Sequence, residues 1–401
     1  MVTYPGDWDE RSIGDFVHVG RGASPRPIEA FLTSGVDGVN WIKIGDAPRY
    51  GKYITQTAEK ITQSGAVRSV RVNAGDFILS NSMSFGRPYI LNIDGCIHDG
   101  WLRLYDYQDS VDKEFLYYLL SSEDTKKQYA TFAAGSGVQN LNKTVVKKVV
   151  VHLPPIPEQR RIARALSEMD DHIDNLAELI EKKKAIRDGA LEDLVSGRSR
   201  LTGYTDEWRK TTIGACAEIL QGGTPSTTNS RFWGGSVIWV TPSEITKLPT
   251  MYIDDSERKI TEEGVQNSSA RLLPAGTILL CTRATIGDLA IARRPMTTNQ
   301  GFKNLVCNPD VHNIFFAYLL RTLKPIMLSL AIGTTFLEIS KRNLSSIEIS
   351  VPNYPEQKAI ADVLTAMDKE IKDLEDERNK MIQIREGAMD DLLTGRVRLT
   401  V

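Results

Sequence analysis

A long stretch that occurs twice constrains the fold of this chain more than any other feature. The first copy begins at Pro154 with PPIPEQ and ends near Thr202 with GRSRLT, and the second runs from Val351 with VPNYPEQ to Thr400 with GRVRLT. In both copies apolar residues recur at alternating spacings of four and three, which predicts a long amphipathic α-helix. The predicted seam residues are Ile162, Leu166, Met169, Ile173 and Leu176 in the first copy and Ile360, Leu364, Met367, Ile371 and Leu374 in the second.

The ends of the two predicted helices agree with this periodicity. Pro157 and Pro355 suit a first helical turn, and Gly197 and Gly395 suit left-handed terminators. A helix from about residue 158 to 196 would be roughly 58 Å long, so its apolar stripe needs a partner. Each helix begins where a globular segment ends. Chain order therefore predicts an antiparallel pair that returns the C-terminus to the N-terminus.

The globular segments that precede the helices are also diverged copies of one another. Trp8 matches Trp208, and the sequence GASP from Gly22 matches GGTP from Gly222. Short strand patterns mixed with short helices predict an α+β fold, in which two tandem mixed domains are joined by two long helices in an antiparallel coiled coil with pseudo-twofold, circular organisation. The predicted boundaries are 1–153 for the first domain, 154–202 for the first spacer helix, 203–350 for the second domain and 351–401 for the second spacer helix.

Composition limits the class of protein. The net charge is −2, which gives no strong phosphate-binding field, so nucleic acid would have to be bound through selected contacts and with a more basic partner. We see no run of 18 apolar residues and no signal peptide, and therefore expect a soluble, cytoplasmic protein. The four cysteines have no C-x-x-C spacing, so neither disulfides nor zinc are expected.

Sequence signals for an enzyme are weak. The stretch from Gly45 to Tyr53 resembles a phosphate loop, but five residues separate its glycines and Tyr53 replaces the magnesium-binding Ser or Thr. His98 beside Asp99 would suit a general base and its orienting carboxylate, whereas the second domain has Asn299-Gln300 there. A polar recognition loop fits both copies better. We predict no catalytic residue and no metal site in this chain.

Polar residues at matched loop positions are the candidates for contacts to DNA bases or phosphates. Arg, Asn, Gln and Lys make directional contacts to base edges, and Ser and Thr also contact phosphates. The candidates are Arg21, Ser24, Arg26, Asn81, Ser82, Arg87, His98, Ser136, Gln139 and Lys143 in the first domain and Gln221, Thr224, Arg231, Arg283, Thr285, Asn299, Gln300, Thr334, Thr335 and Lys341 in the second.

The repeated motifs resemble the DNA-specificity subunit of type I restriction-modification systems. The resemblance rests on the PEQ helix starts at Pro157 and Pro355, the IAxxLxxMD runs from Ile162 and Ile360, the GRxRLT ends and the domain openings at Gly22 and Gly222. It implies that each domain reads one half of a bipartite, asymmetric DNA site and that the coiled coil sets the gap.

The resemblance also implies partners. Two methyltransferase subunits that bind S-adenosylmethionine would methylate adenine, and restriction subunits would add translocation and cleavage driven by ATP with magnesium, while this chain contributes no catalysis. Two other classes remain open from the residues: a coiled-coil adaptor that binds protein or RNA, and a stand-alone DNA-modifying enzyme. Because the two domains differ in nearly every loop, we predict two different half-site sequences.

Overall fold

The structure, a computed structural model, describes residues 4–48, 51–81, 86–107, 109–134, 141–333 and 337–399. The chain forms two compact units. The first unit comprises residues 1–179 and 374–401, and the second comprises residues 180–373. Each unit therefore combines one globular domain with part of both long helices.

Within the described ranges, the first unit contains three antiparallel or mixed sheets and four short α-helices. Its sheets have the orders β1-β12, β3-β6-β4-β10-β7 and β2-β11-β8-β9-β5. The strands are β1 (Asp9–Ser12), β2 (His18–Arg21), β3 (Leu32–Thr33), β4 (Val39–Ile42), β5 (Tyr53–Ile54), β6 (Glu59–Ile61), β7 (Val70–Val72), β8 (Phe77–Ser80), β9 (Pro88–Leu91), β10 (Gly95–Ile97), β11 (Trp101–Tyr105) and β12 (Val150–Leu153). The helices are α1 (Gln63–Ala66), α2 (Lys113–Ser121), α3 (Glu123–Ala134), α4 (Lys143–Lys148) and the first long helix, α5 (Ile156–Ser196).

The second unit repeats this plan, but its sheet β17-β15-β20 has three strands where the matching sheet of the first unit, β3-β6-β4-β10-β7, has five. Its sheets have the orders β13-β22, β14-β21-β18-β19-β16 and β17-β15-β20. The strands are β13 (Arg209–Thr212), β14 (Ala217–Gln221), β15 (Trp233–Val240), β16 (Tyr252–Ile253), β17 (Lys259–Ile260), β18 (Ile278–Cys281), β19 (Leu289–Ala292), β20 (Thr297–Thr298), β21 (Phe302–Cys307) and β22 (Glu348–Val351). The helices are α6 (Ile213–Cys216), α7 (Pro242–Ile245), α8 (Glu262–Gln266), α9 (Asn313–Thr322), α10 (Lys324–Ser329), α11 (Lys341–Ser345) and the second long helix, α12 (Tyr354–Leu393).

One predicted strand is shorter than its sequence suggests. The sequence WIKI from Trp41 to Ile44 is mostly apolar and predicts a strand throughout, but β4 ends at Ile42 and a 3-10 turn follows at Ile44–Asp46. The Asp46 carboxylate accepts a hydrogen bond from the backbone N–H of Lys43 at 2.7 Å. This local side-chain bond stabilises the turn at the expense of further strand pairing.

The long helices pack in the predicted antiparallel direction. In the first unit, Ile162 and Leu166 from the start of α5 share a core with Leu392 and Leu393 from the end of α12. In the second unit the order is reversed, and Leu194 and Val195 from the end of α5 share a core with residues 360–364 of α12. Of the predicted seam, Ile162, Leu166, Leu176, Ile360, Leu364 and Ile371 are buried, and Met169, Ile173, Met367 and Leu374 are partly buried.

The GRxRLT ends and the PEQ starts of the helices bind each other. In the first unit, Arg398 donates to both carboxylate oxygens of Glu158 at 2.7 and 2.8 Å, and also to Asp7. In the second unit, Arg200 donates to both oxygens of Glu356 at 2.6 and 2.7 Å. A glutamate in a first helical turn is also favoured by the helix dipole. The main contact of both glutamates is this bidentate pair, which also returns the C-terminal segment to the N-terminal domain, as predicted.

The glutamine of each PEQ motif binds the N-cap residue of a short helix in the same unit. Gln159 accepts from the backbone N–H of Asp112 at 2.9 Å and donates to the carbonyl of Pro154 at 2.8 Å. Gln357 makes the equivalent bonds to His312 at 2.8 Å and to Pro352 at 2.9 Å. After these helices, Gly197 and Gly395 adopt φ values of 73° and 70°, which confirms their predicted role as left-handed terminators.

A third repeated contact joins domain and helices. The Tyr118 hydroxyl, on α2, donates to the Asp170 carboxylate on α5 at 2.7 Å, and Arg385 on α12 donates to the same carboxylate at 2.9 Å. In the second unit Tyr318 donates to Asp368 at 2.6 Å, and Arg187 pairs with that carboxylate as well. Within the described ranges, no helix is both long enough and apolar enough to cross a membrane.

Candidate functional site

A tight turn after β10 gathers five of the ten predicted residues of the first unit. The His98 Nδ1 atom accepts a hydrogen bond from the backbone N–H of Gly100 at 2.7 Å. The Ser24 hydroxyl donates to Asp99 Oδ1 at 2.8 Å, and the buried Asn81 side chain donates to the Asp99 carbonyl at 2.9 Å. The hydrogen bond from Ser24 is the main reason that the pKa of Asp99 lies below its ordinary value. Asp99 is therefore an anion that orders the turn.

Two arginines complete this cluster. Arg21 Nε donates to the Asp99 carbonyl at 2.9 Å, and Arg26 Nη2 lies 3.4 Å from Asp99 Oδ2. The Arg26 side chain remains 81% exposed, so its guanidinium is available to a ligand. Two arginines around one aspartate leave a net positive charge on a solvent-facing turn, which favours phosphate or base-edge contacts.

The second unit builds the same turn from different side chains. Asn299 Oδ1 accepts from the backbone N–H of Gly301 at 2.8 Å, as His98 does in the first unit, and the Thr224 hydroxyl bonds to the Gln300 side chain. A Cβ atom on Gly22 or Gly222 would lie 2.0 Å from the carbonyl oxygen of His98 or Asn299, respectively, so only glycine fits there. Since Asn299 fills the role of His98, the histidine serves the turn and needs no role as a general base.

A second cluster lies at the end of β18 in the second unit. Arg283 donates to Glu338 Oε2 from Nε at 2.7 Å, with Nη2 2.6 Å from the same oxygen, and the Lys303 ammonium lies 3.1 Å from Glu338 Oε1. Lys303 is only 3% exposed. Burial acts to raise the pKa of Glu338, but the hydrogen bonds from Arg283 and Lys303 outweigh it and hold the pKa below its ordinary value. The carboxylate is therefore ionised between two cations.

Sequence reasoning identified Arg283 but missed Glu338 and Lys303. A lysine in the otherwise mostly apolar run from Phe302 to Cys307 was the available signal, because a buried ammonium needs a counterion. The neighbouring candidate Thr285 follows Ala284, whose φ is 58°, and donates its backbone N–H to the Arg283 carbonyl at 2.6 Å. This left-handed backbone fixes the loop that carries Arg283.

The remaining candidates are dispersed. The Arg87 guanidinium lies over the Tyr89 ring, 5.1 Å from its centroid, and Gln221 ends β14 on the surface. Lys143, Lys341 and Arg231 are exposed and, among the described residues, make no hydrogen bond or ion pair with either turn. Ser82, Ser136, Gln139, Thr334 and Thr335 lie outside the described residues. Across the described ranges, no group of three or more His, Cys, Asp or Glu side chains is placed to hold a metal ion.

Comparisons with known proteins match nearly the whole chain. The profile of the type I restriction modification DNA specificity domain matches residues 5–184 and again 205–383. A putative type I restriction enzyme MjaX specificity subunit of Methanocaldococcus jannaschii is 26% identical over 98% of this chain and 95% of its own length. The MjaIX specificity subunit of the same organism is 38% identical, but that match covers 45% of this chain and 41% of the relative. The crystal structure of the HsdS subunit from Thermoanaerobacter tengcongensis superposes with a TM-score of 0.54 at 18% identity over 98% of both chains.

Proposed function

The chain belongs to the type I restriction-modification DNA-specificity family, as its repeated motifs predicted, and on that premise we propose that each unit reads one half of a two-part DNA sequence. One observation carries this proposal: both units present a turn of the same geometry but of different chemistry. The first turn carries His98 and Asp99, and the second carries Asn299 and Gln300. Two such surfaces would select two different half-sites, so the whole site would be asymmetric.

The long helices would set the gap between the half-sites. α5 contains 41 residues and α12 contains 40, and a helix of this length extends about 60 Å at ~1.5 Å per residue. Half-sites one DNA turn apart are separated by about 34–36 Å. The bidentate pairs at Glu158 and Glu356 fix the register of the antiparallel helices, so the gap would be constant.

Catalysis would come from partner subunits in the cytoplasm. We expect two methyltransferase subunits that bind S-adenosylmethionine and methylate adenine, and restriction subunits that use ATP and magnesium where they are present. The long helices offer matched surfaces for such partners. Ile186 and Ile384 are 59% and 45% exposed, and no described atom would lie within 4 Å of a Cβ atom on Gly189 or Gly387. An exposed apolar residue three positions before an open glycine suits close contact with a partner's helix.

The experiment is a genome-wide map of methylated adenines by single-molecule sequencing. Cells would express this chain with its neighbouring methyltransferase, and matched cells would express the methyltransferase alone. We expect a two-part motif with a fixed gap that disappears without the chain. The methylation pattern could instead be the same with and without the chain, although the methyltransferase is active and bound to it. That result would refute DNA reading and favour an adaptor for protein or RNA. A palindromic motif would refute the two different half-sites.

A further inference from the structure

We propose that Arg283 reads a guanine through the major groove and that Glu338 and Lys303 position it for this contact. The inference rests on the proposed function, since it assumes that the second unit binds DNA. It adds one identified base, one identified residue and the two groups that hold that residue in place.

The ion pair with Glu338 leaves the Nη1 and outer Nη2 hydrogens of the Arg283 guanidinium free to bind a base. Arg283 uses Nε and one hydrogen of Nη2 to bind Glu338 Oε2, at 2.7 and 2.6 Å. Both Nη1 hydrogens and the outer Nη2 hydrogen then point away from the carboxylate, because the guanidinium is planar. The outer Nη2 hydrogen and the Nη1 hydrogen beside it form a pair of donors. This pair matches the N7 and O6 acceptors on the major-groove edge of guanine, and no other base presents these two acceptors together.

The Glu338 carboxylate is itself held in place by Lys303 and by its own backbone. Glu338 Oε1 lies 3.1 Å from the Lys303 ammonium, which is almost fully buried and needs this counterion. The backbone of Glu338 also exchanges two hydrogen bonds with Ile332, at 3.0 and 3.1 Å, and forms a bridge to Arg283. The guanidinium is therefore restrained before any DNA arrives, and two cations around one anion leave a charge of +1.

The surface around Arg283 is open to a large ligand. The Arg283 side chain is 42% exposed although it is paired. Ile332, which is bridged to Glu338, and Leu337, which precedes Glu338 in the chain, are 74% and 50% exposed. Exposed apolar side chains beside a charged group would exclude water from a base contact and could pack on thymine methyl groups.

In the first unit, the position that matches Lys303 holds a residue of a different kind. Lys303 pairs with Leu280 and Gln221 in its sheet, and the corresponding residue Leu102 pairs with Leu79 and Arg21. Leu102 is buried and apolar. We therefore expect an arginine that is held by a buried lysine–glutamate pair to read guanine only in the half-site of the second unit.

The test uses the purified complex of the full chain with its methyltransferase and duplexes that carry the mapped motif. Each guanine of the motif is replaced in turn by 7-deazaguanine, which lacks the N7 acceptor. For the wild type we expect binding to weaken about 10-fold at one guanine, because the analogue removes one of the two hydrogen bonds of the bidentate contact. Arg283→Gln should bind the normal duplex at least as weakly and should no longer respond to the 7-deazaguanine at that position.

A matched control distinguishes this contact from a general loss of charge. Arg293 lies in the same unit, is 54% exposed and pairs with Asp254 at 3.3 Å. Arg293→Gln should keep the wild-type response at every guanine. If Arg283→Gln also keeps it, or if the half-site read by the second unit contains no guanine, the inference is wrong. If the wild-type complex methylates no specific sequence, the proposed function fails, and the inference falls with it.

The positioning role has its own readout. Glu338→Gln should weaken the preference for guanine over adenine at that single position while the other half-site is read as before. Because this variant leaves Lys303 buried and unpaired, it could unfold. The double variant Glu338→Leu with Lys303→Leu removes both charges and avoids that penalty. Unchanged guanine preference in the folded double variant would overturn the positioning role.

Discussion

The hydroxyl of Tyr118 offers a quantitative test of how the first domain is fixed to the long helices. Tyr118 is fully buried, and its hydroxyl donates to Asp170 at 2.7 Å and lies 3.1 Å from the Ser167 hydroxyl. Burial, followed by the bond to Asp170, raises the pKa of Tyr118, so the hydroxyl remains a donor at neutral pH. Tyr118→Phe removes this donor and changes no other atom.

The expected cost follows from the type of bond that is lost. A hydrogen bond to a charged group contributes about 1.5–3 kcal/mol, and no water can replace the hydroxyl at a buried site without a cavity. For a folding unit of roughly 200 residues, each kcal/mol lowers the melting temperature by about 2–4 °C. Tyr118→Phe should therefore lower the melting temperature of the first unit by about 3–12 °C.

Hydrogen exchange at increasing urea concentrations would assign the loss to one unit, because peptides from each unit report separately. Tyr129→Phe is the matched control. Tyr129 is equally buried in the same unit, but its hydroxyl has no hydrogen-bond partner among the described residues. Its removal should be neutral or slightly stabilising. Equal effects of the two substitutions would refute the importance of the Asp170 bond, as would a loss below about 0.5 kcal/mol for Tyr118→Phe.

Three further predictions concern the second unit, the partner surface and the chain ends. His312→Asp should stabilise the second unit by about 1 kcal/mol, because the matching Asp112 accepts from the backbone N–H groups of Glu114 and Phe115 and His312 makes no such side-chain cap. Burial lowers the pKa of His312, so the unfolded chain binds more protons and the wild type should lose stability as the pH falls below about 6.5. Urea unfolding at a series of pH values from 7.5 to 5 should show that the unfolding free energy of the variant depends less on pH than that of the wild type. An equal pH dependence would contradict this role of His312. Gly189→Ala and Gly387→Ala should raise helix stability by up to about 1 kcal/mol each, whereas tryptophan at both positions should reduce co-purification of the methyltransferase. Full assembly of the tryptophan variant would exclude this surface as the contact. Finally, a permutant that joins Val401 to Met1 and opens near Gly203 should direct methylation to the unchanged motif, since Arg398 already binds Asp7 at 2.9 and 2.8 Å; a folded permutant with a different motif would count against the circular arrangement.

The repeat made much of the fold predictable. Periodic apolar residues such as Ile162 and Ile360 predict both helices, and chain order predicts their antiparallel direction. The pairing between the PEQ starts and the GRxRLT ends could not be predicted. Glu158 and Arg398 are 240 residues apart in the chain, and a sequence shows the charge of each residue but not which distant charge faces it. Their pairing depends on the packing of α5 against α12 within the first unit.

The candidate site was predictable in position and only partly in composition. Matched loop positions identified the turns at His98 and Asn299, because glycines before and after them mark the close approach of two backbone segments. Glu338 and Lys303 escaped notice, since Lys303 matches the apolar Leu102 in the first domain and the sequence does not show that Glu338 faces Lys303. Their significance arises only when β21, the segment after β18 and Glu338 meet.

The sequence by itself therefore determined the architecture: two related domains, two long helices, their direction and the family to which the chain belongs. These features depend on periodicity and repetition, which are visible in the order of the residues alone. The tertiary structure decided which charged groups share a carboxylate and which arginine has donors left for a ligand. Electrostatic and hydrogen-bonding partners depend on distances of a few ångströms between residues far apart in the chain, and only folding sets those distances.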